Sequence, residues 1–96
     1  MIASFGDRAT AALYHGERDR SAGKYPPSIR KVAVRKLDML NGAEKLSDLR
    51  SPPGNRLEAL RGDLAGAYSV RINDQWRVVF RWVDGDAHDV RIVDYH

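Results

Sequence analysis

The apolar residues of this chain change their spacing once, and the change falls at a breaker. Ahead of Ser51-Pro52-Pro53-Gly54, Ile29, Val32, Ala33, Leu37 and Leu40 form one stripe at helical period, with Arg30, Lys31, Arg35 and Asp38 on the other side. Beyond the breaker the period becomes two. Tyr68, Val70 and Ile72 alternate with Ser69, Arg71 and Asn73, and Trp76, Val78, Phe80 and Trp82 alternate with Arg77, Val79 and Arg81. A chain that runs helices first and a strand meander afterwards buries both stripes by laying the helices on one face of the sheet. The pattern predicts an α+β fold: N-terminal helices on one face of a small, mainly antiparallel sheet, in a single domain over residues 1–96.

Local signals place the elements. Residues 2–5 suit a short opening strand, Asp7 caps a helix running to about Tyr14, and Gly16 stops it. Residues 17–25 are polar and read as a loop. Pro27 or Ser28 opens the main helix, Asn41-Gly42 ends it, and residues 43–49 suit a further helical turn or two. Residues 56–61, 66–73, 76–82 and 87–95 read as strands, with Asn73-Asp74 and Asp84-Gly85 as hairpin turns.

Cysteine is absent, which excludes disulfides, thiolate catalysis and cysteine-based zinc sites. His15, His88 and His96 lack metal-ligand spacing, so neither a metal nor a cofactor is expected. No apolar run approaches the roughly 18 residues of a membrane span, and the first residues lack the pattern of a signal peptide, so a cytoplasmic protein is expected. The net charge of +3 is modest, but it is unevenly spread. From Arg18 to Lys36 the single acidic residue is Asp19, against Arg18, Arg20, Lys24, Arg30, Lys31, Arg35 and Lys36. Such a stretch is either a solvated face or the salt-sensitive, sequence-independent part of RNA affinity.

Residues 55–82 together with Asp94-Tyr95-His96 bring a carboxylate, arginines and a histidine into the strand region. That chemistry can cleave RNA without a metal. A carboxylate or imidazole takes the 2′-OH proton, a guanidinium holds charge gathering on the phosphate, and a second acid protonates the leaving oxygen.

At Leu60-Arg61-Gly62, Arg71-Ile72-Asn73-Asp74-Gln75-Trp76-Arg77 and Asp94-Tyr95-His96, the chain resembles the toxins of bacterial type II toxin–antitoxin modules. It is most similar to the HigB branch, the plasmid maintenance killer group that includes GraT, of the RelE/ParE superfamily. The resemblance spans nearly the whole chain, including residues 49–57. It implies a ribosome-dependent endoribonuclease that cuts mRNA in the ribosomal A site. It also implies a helix-turn-helix, HigA-like antitoxin as partner, with a toxin–antitoxin hetero-oligomer as one form.

The related YoeB branch has blocks that match residues 58–62 and 71–77. By that match Glu58 resembles its general base, Arg77 its phosphate-stabilising arginine and His96 its acid, while Arg61 stands where that block has lysine. Several HigB toxins carry histidine at the position of Glu58, which leaves the identity of the base open. Superfamily members of the ParE branch instead inhibit DNA gyrase without nuclease chemistry, and a non-catalytic ribosome-binding module is a third reading.

Each residue also has an ordinary role. Glu58 on an exposed strand is a solvated carboxylate, and Arg61 beside a turn is unremarkable, although its planar fork suits phosphate. Arg77 points away from the face buried by Trp76 and Val78, where an ion pair with Glu58 would orient both groups. Arg71 reads equally as a second phosphate ligand or a solvated strand residue. Tyr95 stacks on a base or packs, and Asp94 orients His96 or solvates the strand end. The cations Lys24, Arg30, Lys31 and Arg35 are assigned to RNA docking on the same terms.

Overall fold

The computed structural model describes residues 1–94. Helix α1 (Arg8–His15) begins where the Asp7 carboxylate accepts from the Thr10 N–H at 2.8 Å, an N-cap worth about 1 kcal/mol. It ends at Gly16, whose φ of 68° is the left-handed conformation that lets the last carbonyls find donors. The stretch expected as a loop contains a 3-10 turn, Arg20–Lys24, because the Asp19 side chain caps it through the Ser21 N–H and hydroxyl. Tyr25, at its end, is fully buried and belongs to the core.

Helix α2 (Pro27–Gly42) carries the predicted stripe, burying Ile29, Ala33, Leu37 and Leu40. A 3-10 turn, Leu46–Arg50, supplies the further helical segment, held where Asp48 accepts from the Glu44 and Lys45 N–H groups. The breaker contains a cis Ser51–Pro52 bond and leads into the short turn Pro53–Asn55.

Four strands follow: β1 (Glu58–Ala59), β2 (Ala67–Arg71), β3 (Trp76–Val83) and β4 (Asp86–Asp94). They pair antiparallel in the order β1-β2-β3-β4. The strand expected over 56–61 shrinks to two residues. Arg56 sits in the left-handed region with φ 44°, and Arg61 already turns the chain into the 3-10 segment Gly62–Leu64. The β3–β4 hairpin turns on Asp84 and Gly85, both at positive φ, the two-residue geometry their types predict. The expected opening strand is reduced to two parallel bridges, Ile2 to Ala87 and Phe5 to Val90, along the outer edge of β4.

The helices and the inner sheet face share one core. Leu37, Leu40 and Ile29 pack with Val70, Val78, Phe80, Val90 and Ile92 in a single cluster. The Thr10 hydroxyl, fully buried, accepts from the Ile92 N–H at 2.9 Å and meets the Tyr25 hydroxyl at 3.2 Å, tying α1 to β4 without an unsatisfied polar atom. In β4 an irregularity opposite Phe80 places Asp89 at φ 52°. The extra residue lets both Ala87 and Val90 face the helices and turns Arg91 and Val93 outward. Among the described residues no helix is long and apolar enough to cross a membrane.

Candidate active site and nucleic-acid interface

The helices cover one face of the sheet and leave the other to solvent. Register fixes what that second face displays. Glu58, Ser69, Val79 and Arg91 stand in one row across all four strands, and Arg71, Arg77 and Val93 in the next. Arg81 lies opposite Ala67 and His88 on the far side. Four arginines from three strands therefore share one surface. Val79 is only 1 % exposed although it belongs to this face and not to the core cluster. Its cross-strand partners are Ser69 and Arg91, and Arg77 and Arg81 flank it along β3, arginines whose aliphatic stems can cover apolar surface while their guanidinium groups stay in water.

Arg77 is the most tightly held of the four. Its Nη1 donates to the Ser69 hydroxyl at 2.8 Å and to the Arg56 carbonyl at 3.4 Å. Its Nη2 lies 3.3 Å from Oε1 of Glu58. The Arg77 side chain is 12 % exposed and that of Glu58 52 %, so a fixed cation sits beneath a carboxylate that solvent reaches. Arg71, directly across from Arg77, pairs with Asp74, whose carboxyl is pulled below its ordinary value chiefly by that hydrogen bond.

Arg81 and Arg91 hold no carboxylate among the described residues. Arg81 donates to the Ala65 carbonyl at 3.4 Å, and Gly66, with φ 92°, leaves the room that a Cβ would take from its guanidinium. Arg91 donates to the Asp89 carbonyl at 3.2 Å. Backbone carbonyls orient these groups without cancelling their charge, which suits them to phosphate.

The loop entering β1 is anchored from behind. Asn55, fully buried, donates to the carbonyls of Leu49 (3.1 Å) and Ser51 (3.3 Å) and accepts from the Lys36 ammonium of α2. Burial, then the nearby charges of Arg35 and Arg71, push the Lys36 pKa down. Lys36 thus feels the positive charge of both Arg35 and Arg71. Asn55 immediately precedes Arg56, whose carbonyl receives Arg77, so its anchoring holds that carbonyl's segment in place.

Of the residues expected from sequence, Glu58, Arg71 and Arg77 converge on the open face, and Arg61 follows two residues beyond β1, where a depression is lined by Glu58, Ala59, Leu60 and Arg61. Asp94, exposed at the end of β4, accepts from Gln75 at 3.1 Å. Tyr95 and His96 lie outside the described residues. The helical cations are arranged differently. Lys24 sits over the Tyr25 ring at 5.4 Å and Arg30 donates to the Tyr25 carbonyl at 3.0 Å, so both have local tasks, whereas Lys31 and Arg35 are exposed on α2. Sequence reasoning passed over Arg81 and Arg91 as site residues. The alternation of β3 placed Arg81 on the Arg77 face, but Arg91 reaches that face only through the Asp89 irregularity.

The architecture is that of RelE-like toxins. Over all of this chain and 98% of its own, the toxin–antitoxin structure described as the YoeB-YefM complex from Staphylococcus aureus superposes with a TM-score of 0.59 at 20% identity. The YoeB dimer from Staphylococcus aureus gives 0.53 over 99% of this chain and 97% of its own, again at 20% identity. The sequence profile described as the RelE-like toxin of type II toxin-antitoxin system HigB matches residues 3–96. Toxin HigB-1 of Vibrio cholerae is 45% identical over 87 residues, 91% of this chain and 90% of that one. Endoribonuclease HigB of Proteus vulgaris is 27% identical over 96 residues, the full length of both. The chain belongs to the HigB family of type II toxins.

Proposed function

We propose that this chain is an endoribonuclease that stops translation by cutting mRNA on the ribosome. The observation that carries the reading is Arg77, fixed by Ser69 and Arg56 within reach of the Glu58 carboxylate on an arginine-lined open face. The name of the Proteus vulgaris relative supports the same chemistry. In the proposed reaction O2′ attacks the adjacent phosphorus while Glu58 takes its proton. Arg77 and Arg61 stabilise the charge on the phosphorane, the P–O5′ bond breaks, and His96 protonates O5′. The products are a 2′,3′-cyclic phosphate and a 5′-OH. Each step uses a side chain, and none calls on a metal or cofactor.

Arg71, Arg81 and Arg91 hold flanking phosphates, while Lys31 and Arg35 add charge that favours ribosomal RNA. So spare a site needs its substrate aligned for in-line attack, and the ribosome is proposed to supply that alignment. A helix-turn-helix antitoxin is the proposed partner, and the cytoplasm the proposed place of action.

Sequencing mRNA 5′ ends after induced expression tests the reading. Expected are new 5′-OH ends within translated regions, reproduced by purified protein on programmed ribosomes in EDTA at levels that spare them, with little cutting of free RNA. Equal cleavage of naked RNA would remove the ribosome from the mechanism. Intact mRNA with inhibited gyrase supercoiling would replace the nuclease reading altogether.

A further inference from the structure

The two outer edges of the sheet are finished differently. Along β4 the edge is closed by the chain itself. The Ala3 N–H donates to Ala87, the Val90 N–H to the Ser4 carbonyl, the Gly6 N–H to Val90, and Thr10 takes the Ile92 N–H. The outer edge of β1 has no such cover among the described residues. The Leu60 N–H donates to the Ala67 carbonyl, so Leu60 and Ala67 form a hydrogen-bonded pair. In an antiparallel ladder such pairs alternate with non-bonded ones, so Ala59, opposite Tyr68, turns its N–H and C=O away from β2. Ala59 is exposed, and no described residue bonds its backbone.

A depression lies on each side of that edge. On the helix side a hollow of about 360 Å³ is lined by Leu46, Leu57, Ala59 and Tyr68, with Ser47 and Arg50 at its rim. On the open side the second depression ends at Arg61. Arg50 and Arg61 are exposed, and neither has a carboxylate partner among the described residues. An unpaired N–H and C=O, an apolar hollow beside them and two unmatched cations define a complementary chain. It is extended, places an apolar side chain opposite Ala59, and carries carboxylates beside it.

We propose that the outer edge of β1 receives an extended acidic–apolar segment of the antitoxin, which adds a strand to the sheet at Ala59. The inference rests on the reading of this chain as a toxin held by an antitoxin, and adds where and how it is held. A strand seated there lies against Glu58 and Arg61, so pairing at Ala59 closes RNA off from the base and one phosphate ligand without contacting Arg77.

Hydrogen exchange on the purified toxin–antitoxin complex and on the toxin alone tests the proposal. The Ala59 amide is expected to exchange fast in the free toxin and to be protected in the complex. Ala59→Pro removes that outward N–H while sparing the ladder to β2. It is expected to remain toxic to cells yet lose antitoxin affinity by roughly tenfold or more, the scale of a lost edge hydrogen bond with added steric conflict. Arg50→Glu, on the 3-10 turn away from the ladder, is expected to weaken the complex in the same direction and serves if Ala59→Pro does not fold.

A complex of normal affinity whose Ala59 amide exchanges as in the free toxin would overturn this inference and leave the antitoxin reading standing. Failure of the wild-type toxin to bind an antitoxin at all would sink both. Concentration-dependent protection of Ala59 in the toxin alone would assign the edge to a second copy of the chain and overturn the proposal.

Discussion

Arg77 donates to the buried hydroxyl of Ser69 across the β2–β3 ladder at 2.8 Å, and this contact with an uncharged group fixes the guanidinium. The contact to Glu58 is longer, at 3.3 Å, and more exposed. In the proposed reaction, Glu58 therefore leaves Arg77 for the ribose hydroxyl while Ser69 keeps the cation in place for the phosphate.

Arg77→Ala is expected to lower single-turnover cleavage by roughly the 10²–10³-fold lost with one oxyanion-type donor, with ribosome affinity affected less. Ser69→Ala frees the same guanidinium without removing it and should cost less. Single-turnover kinetics on programmed ribosomes decide the point. An unchanged rate in folded Arg77→Ala would remove it from the chemistry.

Asn55 holds two carbonyls and one ammonium with a single buried amide. Asn55→Ala leaves these groups without partners, at on the order of 3 kcal/mol, which in a domain this small lowers Tm by about 10–20 °C. Thermal denaturation followed by circular dichroism measures it. A melt within a few degrees of wild type would mean that water replaces the amide.

Arg81 and Arg91, oriented by carbonyls alone, are expected to bind phosphate. Changing both to glutamine keeps much of the side-chain bulk over Val79 but removes two charges. The slope of log affinity against log salt for ribosome binding should flatten by about 0.7–0.9 for each lost contact. A slope equal to wild type would return both to ordinary surface.

His96 is tested directly, because general acid catalysis contributes about 10²–10⁴-fold. His96→Gln keeps a hydrogen-bonding group but cannot titrate, and is expected to lose toxicity while still folding and binding antitoxin. A fully toxic His96→Gln would move the acid to Tyr95, Arg61 or a ribosomal group.

Acid should loosen the fold through three aspartates. Hydrogen bonds to Ser21, to the Lys45 and Glu44 N–H groups and to Arg71 lower the pKa of Asp19, Asp48 and Asp74 from the ordinary 3.8. A group depressed in the folded state lends stability that is present above 3.8 and lost as pH falls through its folded pKa. Melting temperature should therefore drop in that window, and less steeply in Asp48→Asn. Identical acid profiles for the two proteins would remove Asp48 from the effect.

The alternation of β3, the α2 stripe and the Asp84-Gly85 turn were legible because each depends on neighbours in sequence. They also placed Arg77 and Arg81 on one face. Burial of Ser69 and Val79 on that same face was not legible, since it depends on the neighbours that register brings beside them from other strands. Asn55 directly follows a breaker that reads only as a stop, and its side-chain partners come from α2 (Lys36 and Met39) and from the end of the 3-10 turn before the breaker (Leu49 and Ser51). Lys36 counted as one more helical cation because nothing local shows that it faces Asn55.

The irregularity at Asp89 acts as a phase reset in β4. Without it, alternation from Ala87 would aim Arg91 and Val93 at the helices and expose Val90 and Ile92. Deleting Asp89 would restore plain alternation with both sets still on their faces, whereas inserting one residue between it and Arg91 without a second irregularity would exchange them, ruining the core and the arginine face together. Length is free to vary at the Asp84-Gly85 tip, where added residues leave the register below untouched. The chain thus separates a place where insertions are harmless from one, a few residues later, where the reading frame of the strand cannot slip.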